Sequence, residues 1–245
     1  MRYHTLDTLR GANVISMVCY HAIWDAVNMF HQRLFWFPSL FSFLWQQSIC
    51  IGFILLSGFC WSMGHKKWKR GLLVFLFGIL ITVITWTVTP QQRILFGVLT
   101  LLGSCMLILI PLEQKLKRIS PFLGGIVSLS LFILFRNIND GYLGIGSWIL
   151  VRLPKWLYRG MFSTYLGFKD PEFYSADYFS IFPWIFLFLT GYFLYEMMRK
   201  KEKLWIVKGK ERGILDVLGR YSLFIYLVHQ PLIFGTLSIL DGHFF

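Results

Sequence analysis

The residues HKKWKRGLLVFLFGILITVITWTV, numbers 65–88, decide the fold class. From Gly71 to Val88 the stretch carries no charged side chain, whereas Lys and Arg crowd the residues just before it. An apolar run of about 18 residues or more can cross the hydrocarbon core of a bilayer, and flanking cations stay at its surface. The stretch therefore predicts a membrane-spanning helix that begins beside a basic loop.

The composition of the whole chain points to the same environment. Of its 245 residues, 56% are hydrophobic and only 15% are charged, and the formal net charge is +12. A soluble domain needs about a quarter of its residues charged to cover its surface. The composition therefore excludes a soluble domain, a disordered chain and a nucleic-acid partner, and it assigns the surplus of cations to membrane lipid.

Other apolar runs of similar length occur along the chain. We predict an all-α, polytopic membrane helix bundle of about seven transmembrane helices, forming a single integral-membrane domain. The predicted spans are Gly11–Phe30, Leu40–Met63, Gly71–Val88, Ile94–Leu112, Pro121–Phe135, Phe179–Met198 and Ile214–Leu237.

Three basic segments set the expected orientation: His65–Arg70, Lys115–Arg118 and Arg199–Arg212. Each follows an even-numbered span, so all three reach the same side of the membrane. Lys and Arg accumulate on the cytoplasmic side. We therefore predict a multi-pass protein of the cell membrane with its N-terminus cytoplasmic and its C-terminus outside.

In this orientation the long connection between the fifth and sixth spans, residues 136–178, lies on the outer side. Its centre mixes aromatic, aliphatic and cationic side chains from Trp148 to Arg159, which is typical of a segment at a membrane surface. We expect an interfacial segment that is partly helical and is broken at Pro154.

Common enzyme signatures do not occur in the sequence. Four cysteines lie in apolar runs without metal-ligand spacing, so neither a metal site nor a disulfide framework is predicted; they are Cys19, Cys50, Cys60 and Cys105. There is no Walker A, GxGxxG or HExxH pattern. The usual nucleotide, dinucleotide and zinc-peptidase sites are therefore excluded.

One face of the first span carries a polar stripe formed by Arg10, Asn13, His21 and Asp25. His21 lies about 20° around the helix from Arg10 and about 16 Å further along its axis. That depth is near the middle of a hydrocarbon core about 30 Å thick. Placing an ionisable side chain at that depth costs about 2.5–3.5 kcal/mol of free energy. The presence of His21 there therefore indicates a functional site.

His21 and Asp25 are four residues apart, which places the carboxylate within reach of the imidazole. A base oriented by an acid suits removal of a proton from a hydroxyl or amine, so we predict that both are catalytic. The alternative is a buried pair that only joins helices. At the entrance, Asp7 and Arg10 form either a helix-end ion pair or a site for an anionic ligand from the cytoplasm.

Later spans supply four candidate substrate-binding residues. Tyr226 and His229 share one side of the last span, just before Pro231, which is expected to kink the helix. The alternative for His229 is a purely structural role. At the start of the sixth span, Asp177 either caps the helix or, with Tyr178 beside it, binds a sugar-like polyol.

Several short motifs, taken in their order along the chain, resemble one known family. They are LDTLRG at 6–11, MVCYH at 17–21, FILLSG at 53–58, FGVL at 96–99, DYF at 177–179 and YSLFIYLVHQP at 221–231. Together they resemble the catalytic domain of the heparan-alpha-glucosaminide N-acetyltransferase family, and its small bacterial members in particular. The resemblance covers nearly the whole chain.

This resemblance implies a membrane-embedded acyltransferase. Such an enzyme takes an acetyl group from acetyl-CoA on the cytoplasmic side and delivers it to an amino sugar or other glycan on the opposite side. Asp7 and Arg10 match the Asp-x-x-Arg-Gly entrance of the family. With Asn13 they are expected to bind the acyl-CoA donor.

The resemblance leaves the base open. His21 matches a position where the human-type enzyme has a functional Asn, and the catalytic His of that enzyme falls beside His31. His21, His31 and His229 are therefore all candidates. The sequence also leaves open the identity of the acceptor and the length of the acyl chain. It does not decide between direct transfer and an acyl-histidine intermediate, or whether the protein forms a homo-oligomer.

A small transporter or channel is the alternative from a different functional class. A polar stripe inside a membrane can also relay protons or bind a passing substrate. No internal repeat is apparent in the sequence, so an inverted-repeat transporter has no positive support.

Overall fold

A computed structural model of the chain describes residues 3–203 and 213–240. It is 71% helix and 4% strand, which confirms the predicted helical architecture. The helices are α1 (His4–Asn28), α2 (Leu40–Trp61), α3 (Lys67–Val88), α4 (Val98–Leu116), α5 (Pro121–Leu134), α6 (Met161–Leu166), α7 (Ile181–Lys200), α8 (Ile214–Arg220) and α9 (Ser222–Leu240). The strands are β1 (Tyr142–Ile145) and β2 (Trp148–Arg152). Of the basic segment that ends at Arg212, residues 204–212 lie outside the described residues.

Within the described part of the chain, six helices are long and apolar enough to cross a membrane. They are α2, α3, α4, α5 with the turn after it, α7 and α9. The remaining predicted span corresponds to α1, whose 25 residues suffice in length at about 1.5 Å per residue. Its polar stripe makes α1 less apolar than the other six.

Contacts along the chain define two compact units, residues 1–56 with 202–245, and residues 57–201. In the first unit α1 packs against α8 and α9. The closest approach is made at glycines: a Cβ on Gly11 would lie 2.1 Å from the backbone oxygen of Leu215, and one on Gly219 would lie 1.8 Å from that of Asp7. Small residues of this kind let two membrane helices bring their backbones together.

The last predicted span is two helices rather than one. Tyr221, with φ −96° and ψ 15°, separates α8 from α9. Pro231, where a kink was predicted, lies inside α9, which continues to Leu240. A proline removes one backbone hydrogen bond from a helix, and α9 accommodates that loss without ending.

In the second unit α3 packs along α4, and α5 packs along α7. The apolar windows of α4 and α7 are 56% and 61% buried, against 17% for α3 and 22% for α5 with its following turn. The inner helices of this unit are therefore α4 and α7. α3 and α5 direct most of their apolar side chains outward, as lipid-facing helices do.

The long connection between α5 and α7 follows its prediction only in part. Its centre, residues 148–159, was expected to be partly helical and broken at Pro154, and Lys155–Leu157 is indeed a short helical turn directly after Pro154. Trp148–Arg152, however, is a strand that pairs with β1 in an antiparallel hairpin, with a register shift between Leu143 and Gly144. Short helical turns flank this hairpin at Ile138–Asp140 and Lys155–Leu157. Ile149 and Val151 are β-branched, and such residues favour an extended backbone. The prediction used only the composition of this segment, which does not distinguish a strand from a helix.

Candidate active site

Two histidines from different helices meet in the first unit. The ring centroids of His21 on α1 and His229 on α9 lie 5.0 Å apart, with the ring planes inclined at 62°. The His229 residue is only 7% exposed, and His21 is partly buried. Two imidazoles at this distance can act on one bound group from two sides.

The hydrogen bonding of His229 fixes which of its nitrogens can act as a base. Nδ1 lies 2.7 Å from the backbone carbonyl oxygen of Tyr226, three residues earlier. A carbonyl oxygen only accepts, so Nδ1 carries the hydrogen and donates it. In the neutral ring Nε2 then holds the free lone pair. This atom is buried and has no hydrogen-bond partner among the described residues, so the ring is oriented as a proton acceptor.

Asp25 is fully buried, but it does not hold the His21 ring as predicted. Both of its carboxylate oxygens accept from Nε2 of Gln230, each at 2.9 Å. This amide belongs to α9, so the interaction ties α9 to α1. The prediction considered only neighbours on the same helix, whereas an amide on the facing helix reaches both oxygens at once.

Gln230 was not among the predicted site residues, although the sequence carries a signal for it. It is a polar side chain beside His229 within an apolar span, where every polar group needs a partner. Its Oε1 is buried and has no hydrogen-bond partner in the described part of the chain. His229 and Gln230 thus present two buried acceptor atoms on adjacent residues. Such atoms suit an incoming group that donates N–H or O–H.

Tyr226 lies next to the histidine pair, whereas His31 does not. The Tyr226 ring lies 5.4 Å from the His229 ring and 6.5 Å from the ring of Phe53, so it belongs to the surroundings of the histidine pair. His31 follows α1 in a loop, is exposed and has a φ of 54°. Of the three candidate bases, the structure brings His21 and His229 together and places His31 beyond the end of α1.

At the entrance of α1 the expected helix-end ion pair is present. Nη1 of Arg10 donates to Oδ1 of Asp7 at 3.0 Å. Asn13 lies further along α1 and donates from Nδ2 to the backbone oxygen of Ile49 on α2, at 3.1 Å. The polar stripe is therefore made of successive separate contacts, with Arg10 at one end and Asp25 near the other.

Asp177 and Tyr178 belong to the second unit. The Asp177 carboxylate accepts a hydrogen bond from the backbone N–H of Val98, the first residue of α4. The N-cap of α7 is Ser180, without a side-chain cap bond, so the expectation that Asp177 caps the sixth span is wrong. The Tyr178 hydroxyl donates to the backbone oxygen of Thr164 at 2.5 Å.

Burial sets the protonation of this pair. It raises the pKa of Asp177 to about 6, and the hydrogen bond from Val98 offsets only part of that effect. It also raises the pKa of Tyr178 to about 12, so the phenol keeps its proton and remains a hydrogen-bond donor. The Asp177 carboxyl therefore changes charge near neutral pH rather than near pH 4.

We expect Asp177 to make the stability of the protein depend on pH. Its folded-state pKa lies above the ordinary value of 3.8, so the folded state binds the proton more tightly than the unfolded state. The stabilisation is present below about pH 4 and is lost as the pH rises through about 6, for a total of at most about 3 kcal/mol. Between about pH 4 and about pH 7 the unfolding midpoint of wild type should therefore fall relative to that of Asp177→Asn, which has no carboxyl group to titrate. Parallel curves for the two proteins would contradict the assignment.

Comparison with known proteins gives one family match. The family model described as "Heparan-alpha-glucosaminide N-acetyltransferase, catalytic" matches residues 2–231 of the chain. No curated protein and no solved structure matches the chain. The matched range begins before α1 and ends at Pro231, so it includes His21, His229 and Gln230.

Proposed function

The chain belongs to the heparan-alpha-glucosaminide N-acetyltransferase catalytic family, and on that premise we propose that it transfers an acetyl group from cytoplasmic acetyl-CoA to an amino sugar or other glycan on the outer side. The family implies a membrane acetyltransferase-like activity. The donor, the acceptor and the sidedness are the proposed part. The single observation that carries the proposal is the contact between His21 on α1 and His229 on α9.

The proposed reaction needs one group that takes up a proton and gives it back. The nucleophilic nitrogen or oxygen of the acceptor attacks the thioester carbonyl; a C–N or C–O bond forms and the C–S bond breaks. His21 takes the proton of the nucleophile and returns it to the sulfur of the departing CoA. Nε2 of His229, with its free lone pair, is a second acceptor for an N–H or O–H of the acceptor. In the alternative route the His21 ring first carries the acetyl group itself, and the acceptor then removes it.

Asp25 acts in this scheme through Gln230 rather than through His21. The carboxylate fixes the Gln230 amide by two hydrogen bonds. The amide in turn has its Oε1 available to receive an N–H or O–H of the acceptor. Asp25 is therefore proposed as a positioning residue for the group next to His229.

The donor and acceptor residues keep the roles predicted from the sequence. Arg10, with Asp7 and Asn13, is proposed to hold the acyl-CoA, because a guanidinium binds phosphate well and the bond to Asp7 uses only one of its N–H groups. Asp177 and Tyr178 are proposed to bind the acceptor, because a carboxylate and a phenol suit the hydroxyls of a polyol.

The test uses the full-length protein reconstituted in liposomes. Acetyl-CoA labelled in its acetyl group is supplied on the side of the basic loops, and glucosamine on the other side. We expect labelled N-acetylated product on the glucosamine side and free CoA thiol on the donor side, both dependent on the protein. Omission of either substrate is the control.

Two outcomes would contradict the proposal. Movement of labelled glucosamine across the membrane without acetyl-CoA would identify a transporter instead. Absence of both product and thiol in detergent micelles, where each substrate reaches both faces, would remove the enzyme assignment.

A further inference from the structure

Arg93 lies between two aromatic rings in the second unit. Its guanidinium carbon is 5.4 Å from the ring centroid of Trp86, at the end of α3, and 5.9 Å from that of Tyr174, in the connection before α7. A guanidinium stacks favourably on aromatic faces, and two rings restrict its rotation. The side chain is therefore held in one place.

The backbone around Arg93 is fixed as well. Its carbonyl oxygen accepts from the N–H of Ala176 at 3.0 Å. Next to it, the N–H of Ile94 donates to Oγ1 of Thr85 at 3.0 Å, and the N–H of Leu95 donates to Oγ of Ser175 at 2.9 Å. The guanidinium thus projects from a segment anchored to α3 on one side and to the later connection on the other.

Arg93 has no ion-pair partner among the described residues, and its Nε is a buried atom without a hydrogen-bond partner there. Two described arginines do have such a partner: Arg10 pairs with Asp7, and Arg199 pairs with Glu196. A guanidinium always carries its charge, so it cannot avoid this situation by losing a proton. It is a rigid donor fork whose natural complement is an oxyanion.

We propose that Arg93 is a binding site for a phosphate group, with its N–H fork donating to two phosphate oxygens. Arginine binds phosphate in this bidentate way, and a preorganised fork loses little freedom on binding. The flanking rings of Trp86 and Tyr174, which are 53% and 47% exposed, supply apolar walls for the carbon skeleton that carries the phosphate. The site does not depend on the proposed acyl transfer.

Two sources can supply this phosphate. Trp86 lies near the end of a membrane-spanning helix, where lipid headgroups are found, and a soluble sugar phosphate presents the same oxygens. The probes are therefore a short-chain phosphatidylglycerol, glucose 6-phosphate and inorganic phosphate, each compared with chloride at equal ionic strength. Purified full-length protein in detergent is titrated with each, and the shift of the unfolding midpoint gives the affinity.

We expect at least one phosphate probe to bind wild type, and Arg93→Gln to bind it about 10- to 100-fold more weakly. Arg93→Lys keeps the charge without the fork and should bind with an affinity between the two. Arg152→Gln, which removes an exposed arginine from β2, is the matched control and should bind like wild type. Preference for phosphatidylglycerol or for glucose 6-phosphate identifies the source.

Three results would contradict the proposal that Arg93 binds phosphate. They are equal binding by wild type and Arg93→Gln, an equal loss in Arg152→Gln, and no response of wild type to any phosphate probe. Full affinity in Arg93→Lys would overturn the bidentate geometry. Arg93→Lys keeps the positive charge and is the variant to use if Arg93→Gln does not fold. Weaker phosphate binding by Arg93→Lys, with wild-type binding by Arg152→Gln, would then support the site, and equal binding by all three proteins would contradict it.

Discussion

His21→Ala is expected to lower the rate of acetyl transfer by about 100- to 10,000-fold, which is the contribution of a positioned general base. The imidazole is the ring partner of His229 and is proposed to carry the proton between acceptor and thiol. Its packing is modest, because it contacts Tyr20 and His229 by tilted or edge-on rings and remains partly buried. The unfolding midpoint should therefore stay close to that of wild type.

The measurement is acetyl transfer by purified variants, together with the unfolding midpoint of each. His65→Ala is the matched control, because His65 is exposed in the loop before α3. His31→Ala separates the candidate bases and should keep most of the activity, while His229→Ala should lose much of it. A large loss in His31→Ala with an active His21→Ala would reject His21 as the base.

Gly219→Ala is expected to destabilise the protein by about 3 kcal/mol, the upper part of the range for overpacking a filled site. The new Cβ would lie 1.8 Å from the backbone oxygen of Asp7. The obstacle is backbone rather than the end of a flexible side chain, so α8 must move away from α1. Gly11 occupies the matching position on α1, with its own Cβ position 2.1 Å from the oxygen of Leu215.

Gly235→Ala provides the control on the neighbouring helix. No described atom lies within 4 Å of a Cβ at this position of α9, and alanine favours a helix over glycine by about 1 kcal/mol. The unfolding midpoint in detergent should therefore fall in Gly219→Ala and hold or rise in Gly235→Ala. Equal midpoints in Gly219→Ala and wild type would show that α1 and α8 do not pack through these glycines.

The apolar spans could be predicted from the sequence because crossing a bilayer depends on a local property. Leu40–Met63 was predicted and α2 covers Leu40–Trp61; Pro121–Phe135 was predicted and α5 covers Pro121–Leu134. The β1–β2 hairpin could not be predicted in this way. Strand pairing depends on two segments finding each other, and composition at a membrane surface does not record it.

The same distinction between local and long-range features applies to the candidate site. The position of His21 relative to Arg10 on α1 and the spacing of Tyr226 and His229 follow from helix geometry alone. The partner of Asp25 does not: Gln230 is 205 residues away along the chain. Likewise Asp177 reaches the start of α4 instead of capping the helix that follows it.

By itself, the sequence determined that this chain is a helical membrane protein and that its long helices carry ionisable side chains. Hydropathy and helical period are carried by neighbouring residues, so they can be read without the fold. Only the tertiary structure decided that His21 meets His229, that Gln230 holds Asp25 and that Arg93 lies between Trp86 and Tyr174. The reason is that each of these contacts joins separate segments of the chain, and their meeting depends on how the segments pack.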